Sequence, residues 1–356
     1  MNVFEYLKWR GDLSFDQDGF NEIDAGILAD LTYVDFTDVI PSYPSKQKIS
    51  IKEASKKLFL VCPKEKRQMG LILPNEILDL IDTASSTNRF GAIKASNYIN
   101  IIDEKKQEQF SAITFITNNN SIIISFRGTD DTFIGWQENV NMLFKFPVPA
   151  QISSVEYLEK ICSMYPNKKV YITGHSKGGN LAIYSSIYCK DSLKNRIEHV
   201  YNFDGPGFKK GVIDKKRLKL IRSKITTVLP EESIIGMLFE LASKTIIVSS
   251  KVKGLFQHDL LSWEIEGPSF KTVKKIAKKS VEIDRRVSKM LYSLSDEEAM
   301  DLANNIYNFY STIRIQKLLD IKKQRIKALS GVKTINSKNR KLLLTLFIVL
   351  FRNGAL

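Results

Sequence analysis

Val170-Tyr171-Ile172-Thr173-Gly174-His175-Ser176-Lys177-Gly178-Gly179-Asn180-Leu181-Ala182 is the stretch whose reading decides the fold. A β-branched and aromatic run leads into Gly-x-Ser-x-Gly, and an apolar helical pattern starts directly behind it. That context is what a nucleophile elbow requires. The serine sits on a tight strand-to-helix turn, and the flanking glycines let the backbone close around it. Ser176 is then expected at the N-terminal end of a helix, where free N–H groups favour a developing negative charge. A glycine-rich βα turn without chemistry is the alternative. A phosphate-binding loop is disfavoured, since neither G-x-x-x-x-G-K-[ST] nor G-x-G-x-x-G is present here.

Outward from the elbow, strand and helix signals alternate. Upstream, Ser111–Thr117 and Ser121–Phe126 are β-rich runs separated by Asn118-Asn119-Asn120, a hairpin signal because Asn tolerates positive φ. Ile122-Ile123-Ile124-Ser125-Phe126 reads as a central strand buried on both faces. It ends in Arg127-Gly128-Thr129-Asp130-Asp131, where a catalytic loop would lie. Ser153-x-x-Glu156 predicts a helix opening there and running to about Met164. Downstream, strands are expected at Glu198–Phe203, Lys224–Leu229 and Thr245–Ser250. Nearer the start, helices are expected around Ile23–Tyr33, Ile51–Leu60 and Asn75–Ser85, and Ser96–Ile102 reads as a strand or a buried turn. The alternation gives an α/β fold, a mainly parallel sheet with helices on both faces.

The 356 residues suffice for one large α/β unit plus an appendage, here expected as an α/β-hydrolase domain over 1–270 and a basic helical extension over 271–356. From Phe270 a basic amphipathic pattern places Val273, Ile276, Ala277, Val281, Val287 and Leu291 on one face. Ser295-x-x-Glu298 caps a further helix expected to reach about Leu329. Leu342–Phe351 is an apolar run too short to span a bilayer. Residues 207–356 carry a net charge of +16 and residues 1–206 one of −2. Such a basic half suits an anionic membrane surface, or is a solvated lysine-rich face. The lysines are dispersed and carry no recognised nucleic-acid motif, which argues against that class of partner. Cys62, Cys162 and Cys189 are few, odd in number and without metal-like spacing, and fit a reducing, cytoplasmic setting. The first dozen residues lack an apolar core of signal-peptide length.

A serine hydroxyl needs a base, and histidine is the usual one at neutral pH. His175 adjoins the serine, so its side chain points elsewhere, and His199 opens a strand at the wrong end of the sheet. His258, in Leu255-Phe256-Gln257-His258-Asp259-Leu260, follows the last strand and stands where the order Ser, acid, His puts it. The acid belongs at a strand end between the two. Asp204, in Phe203-Asp204-Gly205-Pro206-Gly207, is the first choice and Glu232, in Pro230-Glu231-Glu232-Ser233, the second; an Asx-turn shaping the Gly-Pro-Gly bend is the other reading of Asp204. Two donors are needed for an oxyanion. The backbone N–H of Lys177 is one, and Thr129 can offer both N–H and hydroxyl as the other. Arg127 reads as a tie to Asp130, Asp131 or Glu138. No metal or organic cofactor is called for.

With these residues in place the chain resembles the Mbeg-like family of bacterial proteins, predicted α/β-hydrolases distantly similar to fungal-type (class three) lipases. The blocks that carry the resemblance are Tyr6-Leu7-Lys8-Trp9-Arg10-Gly11, Ser125-Phe126-Arg127-Gly128-Thr129-Asp130, Gly135-Trp136-Gln137-Glu138, Gly174-His175-Ser176-Lys177-Gly178-Gly179-Asn180, Asp204-Gly205-Pro206-Gly207-Phe208 and Gln257-His258-Asp259, over roughly 1–270. The resemblance implies an α/β-hydrolase fold, a Ser176-centred triad and acyl-ester chemistry. Fungal-type lipases usually take their acid from a later Asn-Asp pair, where this chain has Glu231-Glu232-Ser233. The expectation is a serine esterase or lipase-like hydrolase acting on a small-molecule or lipid ester, with peripheral contact to anionic membrane. The competing one is a catalytically idle hydrolase fold serving as a membrane- or partner-binding module.

Overall fold

The computed structural model describes residues 1–67, 69, 73–142, 144–313, 332–333 and 335–347. In chain order, helices α1 (Val3–Arg10) and α2 (Glu22–Leu31) precede strand β1 (Ile49–Ser50), then α3 (Ile51–Val61), α4 (Glu76–Ser85) and α5 (Asn88–Gly91). Strands β2 (Lys94–Asp103), β3 (Glu108–Ile116) and β4 (Ser121–Phe126) follow, and α6 (Phe133–Asn141) and α7 (Pro149–Met164) lead to β5 (Lys169–His175). Behind β5 come α8 (Lys177–Tyr188), α9 (Asp191–Lys194), β6 (Ile197–Phe203), α10 (Lys215–Lys219), β7 (Ile225–Pro230) and β8 (Lys244–Val248). A small hairpin, β9 (Ile265–Glu266) and β10 (Ser269–Phe270), precedes α11 (Lys278–Tyr292), α12 (Asp296–Ile313) and α13 (Ser337–Phe347).

Eight strands form one sheet whose spatial order, β1 to β8, is also their order in sequence. β1 to β4 pair antiparallel and β4 to β8 pair parallel. The Asn118–Asn120 turn, with Asn120 at φ 62°, makes the β3–β4 hairpin. Every residue of β4 is buried, as its unbroken apolar run requires. This is the α/β-hydrolase fold, with the elbow between β5 and α8.

Sequential parallel strands joined by crossovers of one hand put all their crossover helices on one face of the sheet. The two main cores reflect this. One holds Leu158, Ile161, Leu181, Ile183 and Ile187 from α7 and α8 against Ile122, Ile124, Val170 and Ile172. The opposite face must be covered from elsewhere, and α2 does it: nine of its ten residues, Ile23 to Leu31, are buried, under Ile113, Ile123, Phe203 and Val228. Arg89 pins α2 from α5, meeting both carboxylate oxygens of Asp24 at 2.8 and 2.5 Å, with both side chains out of solvent. Its remaining N–H groups reach the carbonyls of Leu13, Asp18 and Gly19. A bidentate, fully bonded pair of this kind can stand the loss of water.

Two boundaries differ from expectation. α7 opens at Pro149, whose fixed φ suits the first helical position, so Ser153 lies inside the helix and its hydroxyl reaches Glu108. Ser96–Ile102 is strand, inside β2. The basic helix starts at Lys278, not at Phe270, because Thr272 bridges to Val248 and Val273 donates to the Ile247 carbonyl. Its buried positions are consequently Ser280, Ile283 and Val287, and Val281 is exposed. The Ser295–Glu298 capping box is formed. The expected continuation of that helix to Leu329, and the end of the Leu342–Phe351 run, lie outside the described residues.

Candidate active site

β5 ends in a forced turn. Gly174 and Gly178 pass so closely that a Cβ on Gly174 would stand 2.3 Å from the Gly178 backbone, and one on Gly178 2.1 Å from the Phe126 carbonyl. Ser176 between them takes φ 57°, ψ −131°, a conformation that a residue with a side chain adopts only under constraint. Its N–H is held by the Phe203 carbonyl at 2.9 Å. The half-buried Ser176 therefore stands just ahead of α8, where the first N–H groups have no intrahelical partner.

β6, beside β5 in the sheet, ends at Phe203, and Asp204 follows it with φ 47° and a carboxylate almost completely buried. Oδ2 meets His258 Nδ1 at 2.6 Å, and Oδ1 accepts from the Ser233 hydroxyl at 2.5 Å and the Gly236 N–H at 3.2 Å. Fixed on both oxygens, Asp204 holds the proton of a neutral His258 on Nδ1 and leaves Nε2 as acceptor. Glu232, the other candidate acid, has a different employment. One of its oxygens accepts from the Gly254 N–H and its own N–H donates to Gln257 Oε1 at 2.8 Å, so it ties down the loop that carries His258. Glu231 contributes its carbonyl to the Ala277 N–H at 2.7 Å. The described residues include no hydrogen bond between Ser176 Oγ and His258 Nε2, a contact that in enzymes without substrate is often long.

His175 makes contacts that no local pattern signals. Its Nε2 lies 2.7 Å from the carbonyl oxygen of His258, its Nδ1 3.1 Å from the Tyr33 hydroxyl, and the two imidazole rings are 4.6 Å apart between centroids. A nitrogen facing a carbonyl must carry the proton, so Nδ1 accepts from Tyr33. Burial, and secondarily the neighbouring His258, holds His175 well below the usual histidine range and keeps it neutral. The partners are 83 and 142 residues away from His175 in the chain, a distance no local pattern spans. His199 stays at the far end of β6, bonded to the Thr226 hydroxyl.

On the oxyanion side, Gly128 passes directly over Tyr33: a Cβ there would be 2.0 Å from the tyrosine oxygen. Thr129 is half-buried and its hydroxyl donates to Asn139 Oδ1 at 3.0 Å, which leaves its N–H as the better donor for a ligand. Arg127 is a tie, bonded to Asp130 and to Asn100 at 2.9 Å each. The Lys177 ammonium is buried and bonded to Glu138 Oε2 and the Gln109 carbonyl, both at 2.7 Å. Glu138 also accepts from the N–H groups of Ala150 and Gln109. Lys177 can thus offer a ligand its backbone N–H, and not its charge. No group of His, Cys, Asp and Glu among the described residues is arranged to hold a metal ion, and no described helix is long and apolar enough to cross a membrane.

The Mbeg1-like family model matches residues 84–308. The chain belongs to the Mbeg1-like family. The match crosses residue 270 and takes in α11 and most of α12, while α2 lies outside it. No curated protein matches the sequence of this Mbeg1-like chain. Among solved structures it is similar to the Lip2 lipase of Yarrowia lipolytica, at 14% identity over 52% of this chain and 72% of that one, with a TM-score of 0.36. It is similar to the Rhizomucor miehei lipase in its propeptide complex at 17% identity, over 47% of this chain and 58% of that one, with a TM-score of 0.34. The lipase of Rhizopus microsporus var. chinensis aligns at 12% identity over 77% of this chain and 83% of that one, with a TM-score of 0.36.

Proposed function

We propose that this protein is a serine hydrolase of carboxylic esters, lipid esters foremost, with the chemistry carried by the unit spanning 1–270. The observation behind the reading is the buried Asp204 carboxylate on His258 Nδ1 beside a serine held at positive φ. In this reading Ser176 Oγ attacks the ester carbonyl carbon as His258 Nε2 takes its proton. Asp204 steadies the imidazolium, and the N–H groups of Lys177 and Thr129 receive the oxyanion. Collapse breaks the ester C–O bond, and His258 returns the proton to the departing alcohol. Water, deprotonated by His258, then attacks the acyl carbon; collapse breaks the bond to Ser176 Oγ, His258 returns the proton to that oxygen, and the acid leaves. The three free cysteines, Cys162 and Cys189 buried among them, support a reducing, cytoplasmic setting.

The lack of a Ser176–His258 hydrogen bond favours one rival, an idle hydrolase fold that binds a membrane or partner. A fluorophosphonate probe separates the two, because it reacts only with an activated serine. Stoichiometric labelling of the intact protein, lost in Ser176→Ala and in His258→Ala, is expected. A folded protein that does not label is the idle one.

A further inference from the structure

The two faces of α11 carry different messages. Inward, Ile283 and Val287, with Leu291, pack on Ile234, Leu238 and Leu255, which belong to the two loops that hold Asp204 and His258. Outward, helical spacing lines up Lys278, Val281, Arg285, Lys289 and Tyr292, all exposed. Glu282, which pairs with Arg286, flanks that row between Lys278 and Arg285, and the row itself carries three cations. The base loop continues the theme. Lys251, Val252, Lys253 and Phe256 are exposed, and Phe256, two residues from His258, is 64% exposed although it is a large apolar side chain. Phe256, Val252 and Val281 stand exposed among lysines, a combination that suits an interface with an apolar interior beneath a negative surface.

We infer that the outer row of α11 together with the 251–256 loop is a docking surface for an anionic lipid bilayer, Phe256 entering the interface beside His258. The cations meet lipid phosphates, and the apolar side chains reach the acyl boundary. The inner face of α11 carries the contact to the loops of the site. The orientation toward Ser176 rests on the ester-hydrolase reading; the docking itself does not.

The test is sedimentation of the full chain with phosphatidylcholine vesicles, with and without phosphatidylglycerol, alongside an equal-length DNA duplex series at the same ionic strength. The chain is expected to bind only the anionic vesicles, and added salt to weaken it. Each cation at such a surface is worth roughly fivefold in partition, so K278Q/R285Q/K289Q should lower binding about a hundredfold. Phe256→Ser should weaken it with the charges intact, and both variants should keep the parent's thermal unfolding midpoint. Equal binding to neutral and anionic vesicles, unchanged binding by the triple variant, or tighter binding to DNA than to vesicles would overturn the proposal. Vesicle binding without fluorophosphonate labelling would keep the surface and remove the esterase.

Discussion

Asp204 and Glu232 follow the ends of adjacent strands, and their environments assign them different work. Asp204 spends one oxygen on His258 and the other on Ser233 and Gly236, whereas Glu232 braces Gly254 and Gln257. Asp204→Asn should therefore lower kcat by about 10³–10⁴ with little change in KM, since an amide cannot hold the same tautomer of the base. Glu232→Gln should cost less than about tenfold. Steady-state kinetics on a soluble ester decides, and a larger loss in Glu232→Gln would reverse the assignment. Both residues could be read as candidates from their strand ends and turns. What could not be read is the choice between them, because it depends on which way two loops 25 or more residues apart fold back. His175 is the sharper case: its neighbour Ser176 is unmistakable in the sequence, yet its partners Tyr33 and His258 come together only through the packing of α2 and the base loop against β5.

At the scale of elements, the elbow and the helix that follows the 127–132 loop are fastened by one buried ion pair. Lys177 opens α8, Glu138 sits on α6, and the pair takes in the first turn of α7 through Ala150 and β3 through Gln109. Two candidate oxyanion donors on separate segments thus share an anchor. Lys177→Met strands the Glu138 carboxylate and should destabilise the fold by about 3–5 kcal/mol. Adding Glu138→Gln should restore part of that. Denaturant unfolding of the single and double variants measures the coupling, and strictly additive effects would mean the pair is not a unit. The sequence named Glu138 only as a possible partner of Arg127. No local pattern marks the Lys177 side chain as buried, and its burial follows from the polar surroundings that α6 and β3 supply. Two helix starts differ from the sequence pattern for similarly local reasons: Pro149 outcompetes the Ser153 capping box, and the 271–277 segment goes to strand-like pairing before α11 can begin.

For the molecule as a whole, the half-buried Asp259 and the buried Asp30 shape the response to acid. Burial raises Asp259 to about 6, and burial, followed by the charge of Asp259, raises Asp30 well above the carboxylate range. Between the unfolded value near 4 and the folded one near 6, the native chain holds the extra proton, so ionising Asp259 takes away stability as pH rises through that window. Asp259→Asn, which keeps the acceptor for the Leu261 N–H, should raise stability at pH 7 by about 1–3 kcal/mol and leave it unchanged near pH 4. Unfolding midpoints across pH 4–7 test this; a gain of equal size at pH 4 would point to packing instead. The sheet's sequential order bears on a different matter, the making of the protein. Because every crossover lies on one side, the other side waits for α2, whose seat on β5 is about 145 residues further along the chain. A ribosome adding roughly 5–20 residues each second holds that greasy helix without its seat for about 7–30 s. α2 is thus made well before its seat and is among the last elements to settle, and the nascent chain, more than the finished one, is where chaperones would find something to hold.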